Sequence, residues 1–128
     1  MKAFLSYSVK DAAFAASLRE EIERLGVTAW DDFQGVSPGD RFADHLRKAI
    51  EDSDVLILVV PETGASQANT AFFEAGAAKA LGKRVFAVMP DSRGRELPVS
   101  VTDFAILDAS KKSMKDVART LVHALEPA

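Results

Sequence analysis

Apolar residues along the chain fall into two alternating rhythms. Short runs that are apolar at almost every position alternate with stretches where apolar residues recur every third or fourth position. Lys2 to Tyr7 is the first run and reads as a strand. Phe14, Leu18, Ile22 and Leu25 follow at helical spacing, with Ser8-x-x-Asp11 as a capping-box start and Gly26 as the stop. Val27 to Trp30 predicts a second strand, and Asp31 to Gly39 a loop of Gly, Pro and acids. Ser37-Pro38-Gly39-Asp40 offers a second cap, with Pro at the first helical position, and Phe42, Leu46, Ala49 and Ile50 supply an apolar face. Val55 to Val60 is apolar throughout, the mark of a strand buried on both faces of a parallel sheet. The loop Pro61 to Ser66 leads into a helix that begins between Ser66 and Thr70 and stops at Gly82. Arg84 to Met89 reads as the fourth strand, Pro90 to Asp103 as a long polar loop, and Phe104 to Leu107 as a short fifth strand. Ser110 can cap a last helix, with Met114, Val117, Leu121 and Leu125 inward.

Five alternations of strand and helix predict an α/β three-layer sandwich with a five-stranded parallel sheet. Right-handed crossovers favour the flavodoxin-like order 2-1-3-4-5. The 128 residues fit a single domain, residues 1–128, and no linker or repeat divides them. With 48% hydrophobic residues and no cysteine, the chain builds a core without disulfides, and a thiolate nucleophile or Cys-bound zinc is excluded. The same absence is compatible with the cytoplasm. A net charge of −3, a pI near 5.4 and the lack of a basic tract argue against nucleic acid as a direct partner. No apolar stretch is long enough to span a membrane, and MKAFLSYSVKDAAF does not read as a signal peptide. Glu126-Pro127-Ala128 fits either a natural end or a cut before another domain.

Ligands of such sheets bind beyond the carboxyl ends of the strands, where the strand order reverses. The bordering loops are Ser6-Tyr7-Ser8-Val9-Lys10 and Pro61 to Ser66, both rich in hydroxyls. Known chemistries of this architecture can be tested there. A phosphoacceptor receiver needs acids that the strand ends lack. GxxxxGK[ST], GxGxxG and G-x-S-x-G are absent, and SYSVKD does not match a flavin phosphate loop. His45 and His123 read as surface histidines on helices, and no metal site is suggested. Glu74 survives the screening. It stands in NTAFFEAGAAKALGK, whose Thr70, Ala71, Ala77 and Ala78 at helical spacing cannot form an ion pair with it. A carboxylate in an apolar crevice can stabilise the cation that develops as a glycosidic bond breaks, and burial would favour its neutral form beforehand. The plainer reading, an acid placed for the helix dipole, weighs about as much from position alone.

FLSYSVKD, LGVTAWDDFQGVSPGD, AIEDSDVLILVV and the spacing of Ser66 to Glu74 occur in one order over nearly the whole chain. Together with KRVFAV and Leu97-Pro98, they resemble a TIR (Toll/interleukin-1 receptor) domain. The resemblance implies a flavodoxin-like fold, agreeing with the independent reading. It also implies an NAD+-consuming enzyme of bacterial type, cleaving the nicotinamide–ribose bond to ADP-ribose or a cyclic isomer used in antiviral defence signalling. NAD+ is then substrate, and no cofactor is called for. Glu74 matches the family's catalytic acid. Ser6, Tyr7, Ser8, Ser66 and Phe33 would bind substrate, with strand end, helix cap or core plug as their plainer roles. Asp31, Asp32, Phe33, Gln34, Gly35, Val36, Ser37, Pro38 and Gly39 correspond to the BB loop, which contributes to assembly with other TIR domains. A sensor or effector subunit is a further implied partner. Trp30 reads as core or pocket wall, and Lys10, Arg41 and Lys83 as phosphate partners or solvated surface. Ala75, Gly76, Ala77 and Ala78 would let their helix pack closely. Many NAD+-cleaving relatives carry Trp where this chain has Thr70, with Phe72 and Phe73 beside it. A purely adhesive TIR module and a TIR-like nucleoside or nucleotide glycosidase or deoxyribosyltransferase therefore stand as alternatives.

Overall fold

A strand that is apolar at every position must be covered on both faces. In the computed structural model, which describes residues 1–31, 48–62, 68–91 and 105–125, Val55–Val59 forms β3 and each of its residues is buried. It pairs in parallel with β1 (Lys2–Ser6) on one side and β4 (Arg84–Met89) on the other. β2 (Thr28–Asp31) extends the sheet beyond β1, and β5 (Ala105–Asp108) extends it beyond β4. The order is β2-β1-β3-β4-β5, all parallel, as the hydrophobic pattern predicts.

Alternation along the strands divides the core in two. Ala3, Leu5, Val55, Ile57 and Val88 face α1 (Ala12–Arg24) and α3 (Met114–Leu125), meeting Leu18, Ile22, Val117 and Leu121. Phe4, Leu56, Leu58 and Ala87 turn to the opposite face, against Ala75 and Ala78 of α2 (Ala68–Ala80) and against Ala49 and Ile50 of the helical residues 48–51. The result is three layers, with the α1 side and the α2 side each holding its own core.

The helices α1 and α2 end in the same way before β2 and β4. Gly26 has φ +95° and Gly82 φ +77°, a conformation that favours glycine. The Val27 N–H donates to the Ile22 carbonyl and the Gly26 N–H to that of Glu23, while Lys83 and Gly82 repeat the pair with Ala78 and Lys79. This is the Schellman closure, which satisfies the last helical carbonyls.

The closure explains the first departure from expectation. The Val27 N–H belongs to the helix end, so β2 starts at Thr28 and runs through Asp31. Leu25, expected inward, is the C-cap and is 45% exposed, and Ala15 fills the face instead. The helix start also differs: a 3₁₀ turn, Val9–Asp11, precedes α1. At the last helix the cap is Ser113, whose Oγ accepts the Asp116 N–H at 3.2 Å and whose carbonyl accepts that of Val117. Ser110 is taken up in a turn, donating its N–H to Asp108 Oδ1 at 2.9 Å.

Close packing of α2 rests on Ala75 and Ala78, which are buried, and not on Gly76, which is exposed. A Cβ added at Gly76 meets nothing within 4 Å. Gly76→Ala should therefore raise the unfolding free energy by about 0.5–1 kcal/mol, whereas Gly82→Ala should lower it by about 1 kcal/mol, both read from denaturant titration.

Candidate functional site

The chain leaves β1 toward the α1 side and β3 toward the α2 side. The strand order thus reverses between these two strands, and the crevice lies beyond their carboxyl ends. Ser6, Tyr7 and Ser8 border it from β1, and Pro61 and Glu62 from β3.

Glu74 is the seventh of the thirteen residues of α2 and closes its second turn, at the middle of the helix. It is 1% exposed. Its Oε2 is buried without a hydrogen bond, although the residue is engaged by its surroundings. Taking a carboxyl group out of water disfavours its charged form, so burial at this depth has to be supported or used.

Ser6 is fully buried. It lies opposite Leu58 in the parallel register, and β1 alternation places it on the α2 side with Phe4. Ser6 and Glu74 therefore belong to the same layer. Tyr7 belongs to the other layer. It packs against the α1-side core and lines a shallow groove with Ala12, Ala15, Ala16 and Arg19.

Ser8 is also fully buried, and its surroundings differ from the expected capping box. The Asp11 N–H donates to the Ser8 carbonyl at 2.9 Å, and Ser8 Oγ donates to Asp11 Oδ2 at 3.4 Å. Asp11 occupies the N-cap position of α1, yet its side chain makes no capping hydrogen bond. A cap acid is normally solvated, whereas this one is 6% exposed. S-x-x-D is a helix-start signal, and the expectation for Asp11 stops at that role. Glu62 and Asp91, half-buried beyond β3 and β4, were passed over. Glu62 lies three residues past the end of β3 and Asp91 two past the end of β4, and that position is the signal that marks them.

Asp31 is the last residue of β2, paired with Leu5, so the loop starts one residue later than expected. Asp32, Phe33, Gln34, Gly35, Val36, Ser37, Pro38, Gly39, Arg41, His45 and Ser66 lie outside the described residues. The backbone of Trp30 pairs with Phe4. Lys10 and His123 are exposed. Of the two readings of Lys83, the structure speaks against a phosphate partner: its Nζ donates to the Glu51 carbonyl at 3.0 Å, and it precedes β4 at the amino end of the sheet. Among the described residues no helix is long and apolar enough to cross a membrane, and no cluster of His, Asp and Glu is arranged to hold a metal ion.

A family model described as TIR domain matches residues 3–125. No curated protein matches the chain. Among solved structures, the TIR domain of the Toll-related receptor TRR-2 from Hydra magnipapillata is similar, with a TM-score of 0.70 at 21% identity over 96% of each chain. The CMP N-glycosidase BcmB of Clostridium botulinum has a TM-score of 0.64 at 17% identity, covering 95% of this chain and 99% of its own. A flavodoxin-like domain from Synechococcus has a TM-score of 0.56 at 13% identity, covering 94% of this chain and 99% of its own. At these identities the likenesses concern the fold.

Asp108 ends β5 at the same edge of the sheet. The Ser110 hydroxyl, then the Ser110 N–H, hold its carboxyl below the ordinary 3.8, and Lys111 and Lys112 add to the effect. A depressed value in the folded state contributes stability above the unfolded value and loses it as pH falls through the folded one. Carbon-detected NMR titration should find Asp108 below the usual carboxylate range, and Ser110→Ala should move it upward.

Proposed function

The chain belongs to the TIR domain family, and on that premise we propose that it cleaves NAD+ at the nicotinamide–ribose bond, with Glu74 as the catalytic carboxylate. The observation that carries the reading is a carboxylate 1% exposed on the helix that follows β3, one of the two strands between which the order of the sheet reverses.

The chemistry suits such a group. As the bond from the ribose carbon to the pyridinium nitrogen breaks, the electron pair leaves with nicotinamide, which departs neutral. Positive charge then moves onto the ribose carbon and its ring oxygen. A carboxylate held in a low-dielectric site attracts that charge far more strongly than water would. The substrate is itself cationic at the pyridinium, so a carboxylate there attracts it before the bond breaks as well as after. Attack on the ribose carbon by water gives ADP-ribose, and attack by another atom of the same nucleotide gives a cyclic isomer. Either product would serve as a signal in antiviral defence, the role that the family resemblance implies, in the cytoplasm where NAD+ is supplied.

Glu74 and Ser8 are both closed off from solvent in the single chain. Substrate therefore reaches them only after the crevice opens, and association with other TIR domains is the step that would open it. Turnover per molecule should then rise with protein concentration, rather than stay constant across a dilution series.

A second reading shares the same carboxylate. The likeness to a CMP N-glycosidase and the presence of Thr70 favour a nucleotide whose leaving base is not nicotinamide. A purely adhesive TIR module is the third reading, and buried Glu74 speaks against it.

Incubation with NAD+ at high protein concentration, with products resolved chromatographically, separates the three. The proposal expects nicotinamide release that falls by about 10²-fold or more in Glu74→Ala. Release of cytosine from CMP alone selects the glycosidase, and no turnover of either selects the adhesive module. Full activity in Glu74→Ala would overturn the site.

A further inference from the structure

We propose that Asp11 is a positioning residue that fixes the Ser8 hydroxyl as a hydrogen-bond acceptor for a hydroxyl donor of the substrate, on the β1 side of the crevice; this rests on the reading of Glu74 given above. An aspartate at a helix start ordinarily caps the helix and stays in water. Asp11 does neither: its side chain makes no capping bond, and it is 6% exposed. What its carboxylate does accept is the Ser8 hydroxyl, Oγ to Oδ2 at 3.4 Å.

The direction of that bond decides what Ser8 offers. An ionised carboxylate is acceptor only, so the hydroxyl has to donate its single proton to Asp11. The lone pairs of Ser8 Oγ are then left to accept. The two residues are also held at the backbone, by the Asp11 N–H on the Ser8 carbonyl at 2.9 Å. The hydroxyl is thus fixed in place and polarity two residues beyond the end of β1, where the strand order reverses. The chemical class it fits is a donor close to the glycosidic carbon, as the vicinal hydroxyls of a ribose are. A site that pairs such a hydroxyl gains both binding and orientation, because the sugar is held while its bond to the base breaks.

The competing account is that Asp11 merely clamps the turn between β1 and α1. The two differ in how the effects of Ser8 and Asp11 combine. Steady-state kinetics with NAD+ would compare the wild type with Ser8→Ala, Asp11→Ala, Asp11→Asn, the Ser8→Ala/Asp11→Ala double variant and Glu74→Ala, with thermal unfolding of each. Asp11→Ala should lower kcat/KM about tenfold. Asp11→Asn, whose amide oxygen still accepts from Ser8, should recover most of the loss. Asp11→Ala should add nothing further in the Ser8→Ala background.

Additive losses, or a wild-type kcat/KM in folded Asp11→Ala, would overturn the proposal. Should Asp11→Ala not fold, Ser8→Ala decides, and full activity there overturns it equally. Impaired Asp11→Ala beside a fully active Glu74→Ala would remove the Glu74 reading and leave Asp11 in place. Inactive Glu74→Ala beside unimpaired Asp11→Ala removes only Asp11. Calorimetric titration of NAD+ into the wild type closes the remaining case: neither binding nor turnover overturns both.

Discussion

Val55 to Val59 have to be hidden from water on both faces, and each such side chain is worth about 1.5–3 kcal/mol when fully buried. A parallel strand covered in this way needs helices above and below it, so the crossovers are divided between the two faces of the sheet. Where the side changes, between β1 and β3, the loops part and a crevice is left. The crevice is therefore a consequence of how β3 is buried. Glu74 stands where it does because α2 is the helix that follows β3 and covers the face with Phe4, Leu56 and Leu58.

The two ends of the sheet treat polar groups differently. At the amino end they close helices and strands. Lys83 caps the carbonyl of Glu51, Arg84 reaches those of Ala124 and Leu125 while lying over the Phe86 ring, and the Lys2 N–H meets Asp54. Ser53 returns its hydroxyl to the Ala49 carbonyl at 2.8 Å. All of these bonds complete elements that would otherwise expose unsatisfied backbone. Ser6, Ser8 and Asp11 are buried at and beyond the carboxyl end of β1, and Glu74 is buried on the helix that follows β3. Two of the four are carboxylates, the most costly groups to take out of water. On the reading proposed for Glu74, burial of these groups serves a cationic, hydroxyl-rich ligand, while the other edge carries the capping work.

Much of this could be read from the residues alone. The unbroken run at Val55 announced the central strand, Gly26 and Gly82 announced helix ends, and Arg84 to Met89 is the strand as expected. The errors lie where one residue has two physical uses. Val27 is apolar enough for a strand, but its N–H is claimed by the preceding helix. Ser110 and Ser113 are equally good caps in composition, and only the turn around Asp108 decides between them. Gly76 looked like a close-packing glycine and faces solvent, because helical phase put Ala75 and Ala78 inward. Glu74 stands out in the sequence because its helical neighbours at the pairing positions carry no charge, and in the structure it is buried. The burial of Asp11 is not legible in the sequence, because a capping aspartate and a buried one are spelled the same way until the side chain is placed.

The central claim is that the Glu74 carboxylate is kept for chemistry and not for folding. Unfolding free energy at neutral pH, measured by denaturant titration for Glu74→Gln beside the wild type, tests that claim most directly. Gln preserves shape and one acceptor oxygen but cannot carry the negative charge. The account predicts stability equal to or above that of the wild type, within about 1 kcal/mol on the low side, in a protein that has lost turnover. A loss of about 3 kcal/mol or more would show that the charge holds the fold together, and would contradict the account.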